Sequence, residues 1–204
     1  MRVLPCGERA VLLEVDDLPA VLSLAAALRA DPVPGTVDLV PAARTVLVRT
    51  EPAVDVDAVR AHVARLTLGP ADAGPPGPLV TVDVDYDGAD LAAVAAACHL
   101  SPEEVVAAHA GREWTVAFLG FAPGFAYLTG GDPRLRVPRR EVPRTRVPAG
   151  SVALADGYGA IYPRASPGGW QLIGRTDASV WDIDRDPPAL LVPGTRVRFR
   201  ELGR

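Results

Sequence analysis

The chain has 204 residues, of which 49% are hydrophobic and 23% charged, enough apolar mass for one medium domain or two small ones and too much for a disordered polymer. Acidic residues outnumber basic ones 25 to 21, and a net charge of −4 argues against general affinity for nucleic acid. Every basic residue is arginine, so a Schiff-base lysine, a biotinylated or lipoylated lysine and a P-loop lysine are all excluded.

Any phosphate or carboxylate must therefore be held by arginine forks or backbone N–H groups. The 21 prolines and 19 glycines, without a collagen-like period, predict many turns and short strands. Cys6 and Cys98 lie far apart and form no C-x-x-C pair, which fits a reducing compartment. Met1 to Pro5 lead directly into Glu8 and Arg9 with no apolar signal core, so a cytoplasmic location is expected. The longest uncharged stretch, 114–131, is broken by Gly120, Pro123, Gly124, Gly130 and Gly131; it reads as a buried strand and turn, with no membrane span.

In chain order, residues 1–68 read as a small α/β unit. A strand at 10–15 is followed by Asp16 and Asp17 and then by a helix with Val21, Leu24, Ala25 and Leu28 on one face. Strands follow at 36–40 and 45–49, then a second helix carrying Val56, Val59, Val63 and Leu66. The order β-α-β-β-α predicts a ferredoxin-like split arrangement. Residues 69–78 are dominated by Pro and Gly and read as a linker. In the larger part, 79–204, a strand at 79–84 precedes two short helices. The second opens with Ser101 at the N-cap, Pro102 at the first turn and Glu104 closing a capping box, and it ends at Gly111. Strands are predicted at 114–119, 151–154, 160–162, 170–174, 179–181, 189–192 and 196–200, which together suggest an antiparallel barrel or sandwich.

Three stretches carry candidate chemistry. From Arg134 to Arg146, arginines 134, 136, 139, 140, 144 and 146 face a single acid, Glu141, among prolines 133, 138, 143 and 148. Proline stiffens such a segment, and preordered guanidinium forks suit a carboxylate or a phosphate; the alternative is a solvated loop or a patch facing an acidic partner. The Gly-rich run 119–128 places Gly120, Pro123 and Gly124 among aromatics, as close backbone approach to a ligand or a tight packed turn would require. In 166–175, Gln171 and Arg175 are an even number of residues apart and would share a strand face, forming a polar wall with Tyr162 and Ser166; a plain hairpin turn is the alternative.

His62 is expected on a helix surface, His99 at a helix end and His109 on the buried face of its helix. Neither H-x-x-x-H spacing nor a useful Cys–His pair occurs, so no metal site is expected. Ala149-Gly150-Ser151-Val152-Ala153 lacks the second glycine of a nucleophile elbow, so a triad hydrolase is not supported.

The ordered motifs resemble one known family. These are Phe118-Leu119-Gly120-Phe121-Ala122-Pro123-Gly124-Phe125-Ala126-Tyr127-Leu128, Pro138-Arg139-Arg140, the run from Pro143 to Val152, Ile161-Tyr162-Pro163, and the run from Ser166 to Thr176. Together they are similar to the KipI family, whose members are also called the B subunit of 5-oxoprolinase or allophanate hydrolase subunit 1.

The resemblance implies an α+β protein with a cyclophilin-like β-barrel over 79–204 beside the small N-terminal domain. It implies a C-type, carboxyltransferase-like partner and a third, A-type component of the LamB/YcsF kind, which together open 5-oxoproline to glutamate with ATP. The chain would be inactive alone, and ATP would be held by it or by its partner. On this likeness His109 and Gln171 would orient the lactam or a proton. Arg139, Arg144, Arg146, Ser151, Tyr162, Ser166 and Arg175 would bind the small anionic substrate, with Gly120, Pro123 and Gly124 at the point of backbone approach. Other readings are a histidine-kinase inhibitor and half of an allophanate hydrolase or urea carboxylase-type carboxyltransferase. The family's Thr and Pro in the first motif are Ala122 and Ala126 here, and Gly157-Tyr158-Gly159-Ala160 replaces its usual Gly-Gln-Thr-Gly.

Overall fold

Strand patterning and capping account for most of the elements in the computed structural model, which describes residues 1–51, 55–70 and 77–203. The chain divides into two units, Met1–Pro75 and Pro76–Arg204. In the first, β1 (Arg2–Pro5), β2 (Ala10–Glu14), β3 (Thr36–Pro41) and β4 (Thr45–Thr50) form an antiparallel sheet in the order β1-β2-β4-β3. Alternation drives one face inward: Val11 and Leu13 of β2 and Val46 and Val48 of β4 are buried.

Helix α1 (Leu18–Ala30) starts where the Asp17 carboxylate accepts the Ala20 N–H at 2.9 Å. Its expected face of Val21, Leu24, Ala25 and Leu28 joins Val59 and Val63 of α2 (Val56–Arg65) in one core. Two readings are corrected. The edge strand β1 escapes the sequence pattern, being a four-residue segment that ends in Pro5 and pairs only with β2. His62 is buried, because its Nε2 lies 3.0 Å from the Asp31 carbonyl oxygen, which gives the ring a polar partner inside the unit.

The second unit begins with β5 (Leu79–Val84), α3 (Leu91–Cys98) and α4 (Pro102–Ala110). Both halves of the expected capping box form, Glu104 N to Ser101 Oγ at 3.2 Å and Ser101 N to Glu104 Oε2 at 2.8 Å. The strands β6 (Glu113–Leu119), β7 (Ala126–Thr129), β8 (Arg144–Val147), β9 (Ser151–Ala155), β10 (Tyr158–Ile161), β11 (Ser166–Gly168), β12 (Gln171–Arg175) and β13 (Arg196–Glu201) follow. Seven of the second unit's strands make one sheet in the order β12-β9-β10-β7-β6-β13-β5, and β8 pairs with β11 separately.

The sheet curls until its two edges meet. Asp85 and Arg175 exchange both backbone hydrogen bonds at 2.9 Å, and Asp90 N donates to Leu172 O at 2.9 Å. Gly174 permits this seam, since a Cβ there would lie 2.6 Å from the Asp85 carbonyl oxygen. The barrel is therefore nearly closed, but it is not wholly antiparallel: β13 runs parallel to β5.

Aliphatic side chains such as Val84, Leu128, Leu154 and Ile173 fill the interior with Trp114 and Phe199. A second cluster on the other face of β9 and β10 is aromatic, with Phe125, Tyr162 and Trp170 packed beside Val147 of β8. Strands β7 and β8 occupy stretches read as a glycine turn and an arginine loop. The strands expected at 179–181 and 189–192 reduce to one bridge, Trp181 to Ala189. Around that bridge Asp182 N donates to Pro188 O and Leu190 N to Val180 O, both at 3.0 Å, and the Arg185 guanidinium donates to the carbonyls of Ser179 and Pro188. Of the expected linker 69–78, residues 71–76 lie outside the described residues.

Candidate functional site

The arginine segment is partly consumed inside the protein. Asp90 precedes α3 but makes no side-chain cap bond to it. Its carboxylate, 4% exposed, accepts Arg144 Nη2 at 2.7 Å, Arg140 Nη1 at 2.8 Å and the Leu172 N–H at 2.7 Å. Burial pushes this carboxyl's pKa up, but the bonds from Arg144 and Leu172 and the two guanidinium charges outweigh it and hold the group below its ordinary range. One carboxylate thus stands between two cations, and Arg144 Nη1 is buried with no partner among the described residues. Such an orphaned donor in a net-positive cluster matches an anion's oxygen.

Around this node lie several of the expected residues. Tyr162 is buried against Gly168, where a Cβ would meet its hydroxyl oxygen at 2.3 Å. Gly168 is the β11 residue opposite Arg144. The guanidinium carbon of Arg139 sits 5.9 Å over the Trp170 ring, and its Nε is 3.5 Å from Asp156. Burial raises the Tyr162 pKa, while Arg139 and Arg144 pull the other way. Gln171 donates from Nε2 to the Pro138 carbonyl at 3.2 Å, Ser166 Oγ is buried without a partner among the described residues, and Arg146 is exposed. Ser151 points elsewhere, with its hydroxyl donating to the Pro148 carbonyl at 2.9 Å.

Two further expected residues stand apart. Arg175 is tied to Asp85 at 2.9 Å and Asp87 at 3.2 Å along the barrel seam. It does not share a face with Gln171, because β12 has a bulge between Leu172 and Gly174. Their partners on β9, Ser151 and Leu154, are three residues apart and point to opposite faces. His109 is fully buried in the barrel interior, 4.3 Å from the Phe199 ring and 5.2 Å from Trp114. Burial lowers its pKa to about 3, so the ring is neutral. Its Nδ1 lies 2.7 Å from the Tyr86 hydroxyl, and Nε2 has no partner among the described residues.

Tyr86, in turn, lines a cavity of about 350 Å³ together with Leu91, Val106, Asp85, Glu103 and Glu201. Carboxylates at its rim are the wrong sign for an anionic substrate, and none of Arg139, Arg144 or Arg146 lines it. The loop of Gly120, Pro123 and Gly124 lies beside the aromatic cluster, with Gly124 packed on Trp181. Among the described residues, no group of three or more His, Cys, Asp or Glu is placed to hold a metal ion, and no single helix is long and apolar enough to cross a membrane. Sequence reasoning missed Asp90. It reads as an ordinary residue before a helix, and its arginines come fifty residues later.

Residues 1–191 match the family described as carboxyltransferase domain, subdomain C and D. The chain is 41% identical over 202 residues to the B subunit of 5-oxoprolinase from Escherichia coli O157:H7, covering 95% of this chain and 92% of that protein. Among solved structures, TTHA0988 superposes with a TM-score of 0.77 and 37% identity over 96% of this chain, which spans only 40% of TTHA0988. The urea amidolyase of K. lactis shares the fold at 19% identity, with a TM-score of 0.74 over 98% of this chain and 15% of its own.

Proposed function

The chain belongs to the family of carboxyltransferase domains, subdomains C and D, and on that premise we propose that it is the B subunit of an ATP-dependent 5-oxoprolinase, opening 5-oxo-L-proline to L-glutamate. The observation that carries this reading is the nearly end-to-end likeness, 41% identical, to a protein of that name. The arginine flank supports it chemically. Ring opening of a lactam carboxylate with ATP needs a site for carboxylate and phosphoryl oxygens. The orphaned Arg144 Nη1 and the exposed Arg139 and Arg146 suit such oxygens. The node formed with Asp90 would hold Arg144 in place, so little entropy is lost when an anion binds.

In this reading the chain acts with a carboxyltransferase-like C-type companion and an A-type component of the LamB/YcsF kind, and it is inactive alone. Gln171 and Tyr162 flank the anion. His109, neutral and enclosed in the barrel interior, pairs with the Tyr86 hydroxyl and takes no part in holding the anion. The finer fold reading is a ferredoxin-like N-terminal domain with β1 at the edge a closing strand would take, a 69–78 linker and a cyclophilin-like barrel.

The test is coexpression with the C-type and A-type components and measurement of ATP-dependent glutamate release. Arg146→Ala is expected to lower kcat/KM at least tenfold, because the exposed guanidinium has no structural partner among the described residues. Unchanged turnover would remove the arginine flank from the site. Absence of glutamate release by the wild-type complex would remove the function.

A further inference from the structure

The turn between β6 and β7 holds a bulky side chain in a backbone conformation that disfavours it. Phe121 has φ +65° and is 60% exposed. Ala122 N donates to Gly120 O at 2.7 Å, a bond spanning i to i+2 with Phe121 at its centre. A γ-turn with positive φ at its central residue is the rare, strained kind, and glycine would occupy that position without steric penalty. The strain brings little burial in return, since most of the ring is in water. The ring is nevertheless propped edge-on by Phe125 and Tyr162, with centroids 5.1 and 6.2 Å away. Next to it Trp181, 37% exposed, packs on Gly124, where a Cβ would lie 2.7 Å from that of Trp181.

We propose that Phe121 is the anchor by which this chain docks on its carboxyltransferase-like companion, entering an apolar socket bordered by carboxylates. This rests on the reading of the chain as one member of a complex. An exposed aromatic supported by buried aromatics is the usual chemistry of an interface hot spot, and strain kept at an exposed position marks a working residue. Cations stand at the same aromatic cluster: the Arg139 guanidinium carbon sits 5.9 Å over the Trp170 ring, which packs edge-on against Phe125 at 5.5 Å, and exposed Arg164 follows Tyr162 by two residues. An acidic border on the partner is the complement. This chain also spans only 40% of TTHA0988, so in that relative the matching part is joined to a longer polypeptide.

The test titrates the purified carboxyltransferase-like companion into the full chain. Phe121→Gly is expected to weaken binding at least tenfold while leaving the melting temperature of the lone chain unchanged or higher, because glycine relaxes the turn. Arg164→Glu is expected to slow association at least threefold and to flatten its salt dependence. Binding of Phe121→Gly within twofold of wild type overturns the inference while leaving the complex intact. A fall of several degrees in the melting temperature of Phe121→Gly overturns it too, since the ring would then be structural. So does self-association of the wild type that Phe121→Gly abolishes, which would make the occupant a second copy. If wild type fails to bind the companion, both this inference and the reading beneath it fall.

Discussion

Arg140 and Arg144 are held in a buried node, whereas Arg139 and Arg146, from the same proline-rich segment, stand in solvent. The first pair shares one carboxylate, Asp90, which also accepts a backbone N–H and ties the segment to the barrel seam. Of the second pair, Arg139 lies over Trp170 beside Asp156 and Arg146 is exposed. Six arginines close together in sequence are thus not one electrostatic object. Arg140 and Arg144 are tied into the framework, with Arg144 Nη1 left over for a ligand, whereas Arg139 and Arg146 stand at the surface.

The comparison breaks most sharply at Asp90. Asp90→Ala leaves two guanidinium groups and the Leu172 N–H without their acceptor, and we expect a loss of about 3–5 kcal/mol in chemical denaturation. Asp90→Asn, which keeps one acceptor oxygen, should lose visibly less. Arg144→Ala removes one charged hydrogen bond while Arg140 and Leu172 still satisfy Asp90, so a loss of about 1.5–3 kcal/mol is expected in the same measurement.

His109 sharpens the contrast, being a buried polar group whose pKa is set by burial. Its folded pKa of about 3 lies below the ordinary 6.5, so the unfolded chain binds a proton first as pH falls. Stability on this account is full above pH 6.5 and declines as pH drops from 6.5 toward 3. Denaturation midpoints between about pH 7 and 4 should fall less steeply in His109→Phe than in wild type. The smallest effect is expected at the exposed member of the comparison. Arg146→Ala should change stability by less than about 0.5 kcal/mol while still impairing turnover of the complex. A large stability loss there would erase the distinction between the arginines tied to Asp90 and those at the surface.

What is legible in the sequence is local. The capping box at Ser101 and Glu104, the cap at Asp17 and the apolar face of α1 depend on residues within a turn or two of one another. Strand β8 is hidden because prolines 143 and 148 bracket four residues, two of them arginine, and only pairing with β11 makes them a strand. The face assignment of Gln171 and Arg175 fails on a single-residue bulge, which sequence alternation does not register. His62 misleads because its partner, a backbone carbonyl at Asp31, is thirty-one residues away. The arginines stand out as a charge cluster, but their division does not, since Asp90 reaches them only once the sheet edges meet at the seam.

Strand β13 lies between β5 and β6, pairing residue by residue with β5 from Arg196 beside Leu79 to Glu201 beside Val84. The opening and final strands of this unit are therefore sheet neighbours separated by more than a hundred residues. Loop closure on that scale slows folding and delays the cooperative transition until almost the whole unit has been synthesised. During translation β5 waits with a bare hydrogen-bonding edge, the state in which such a chain is most exposed to aggregation and to capture by chaperones.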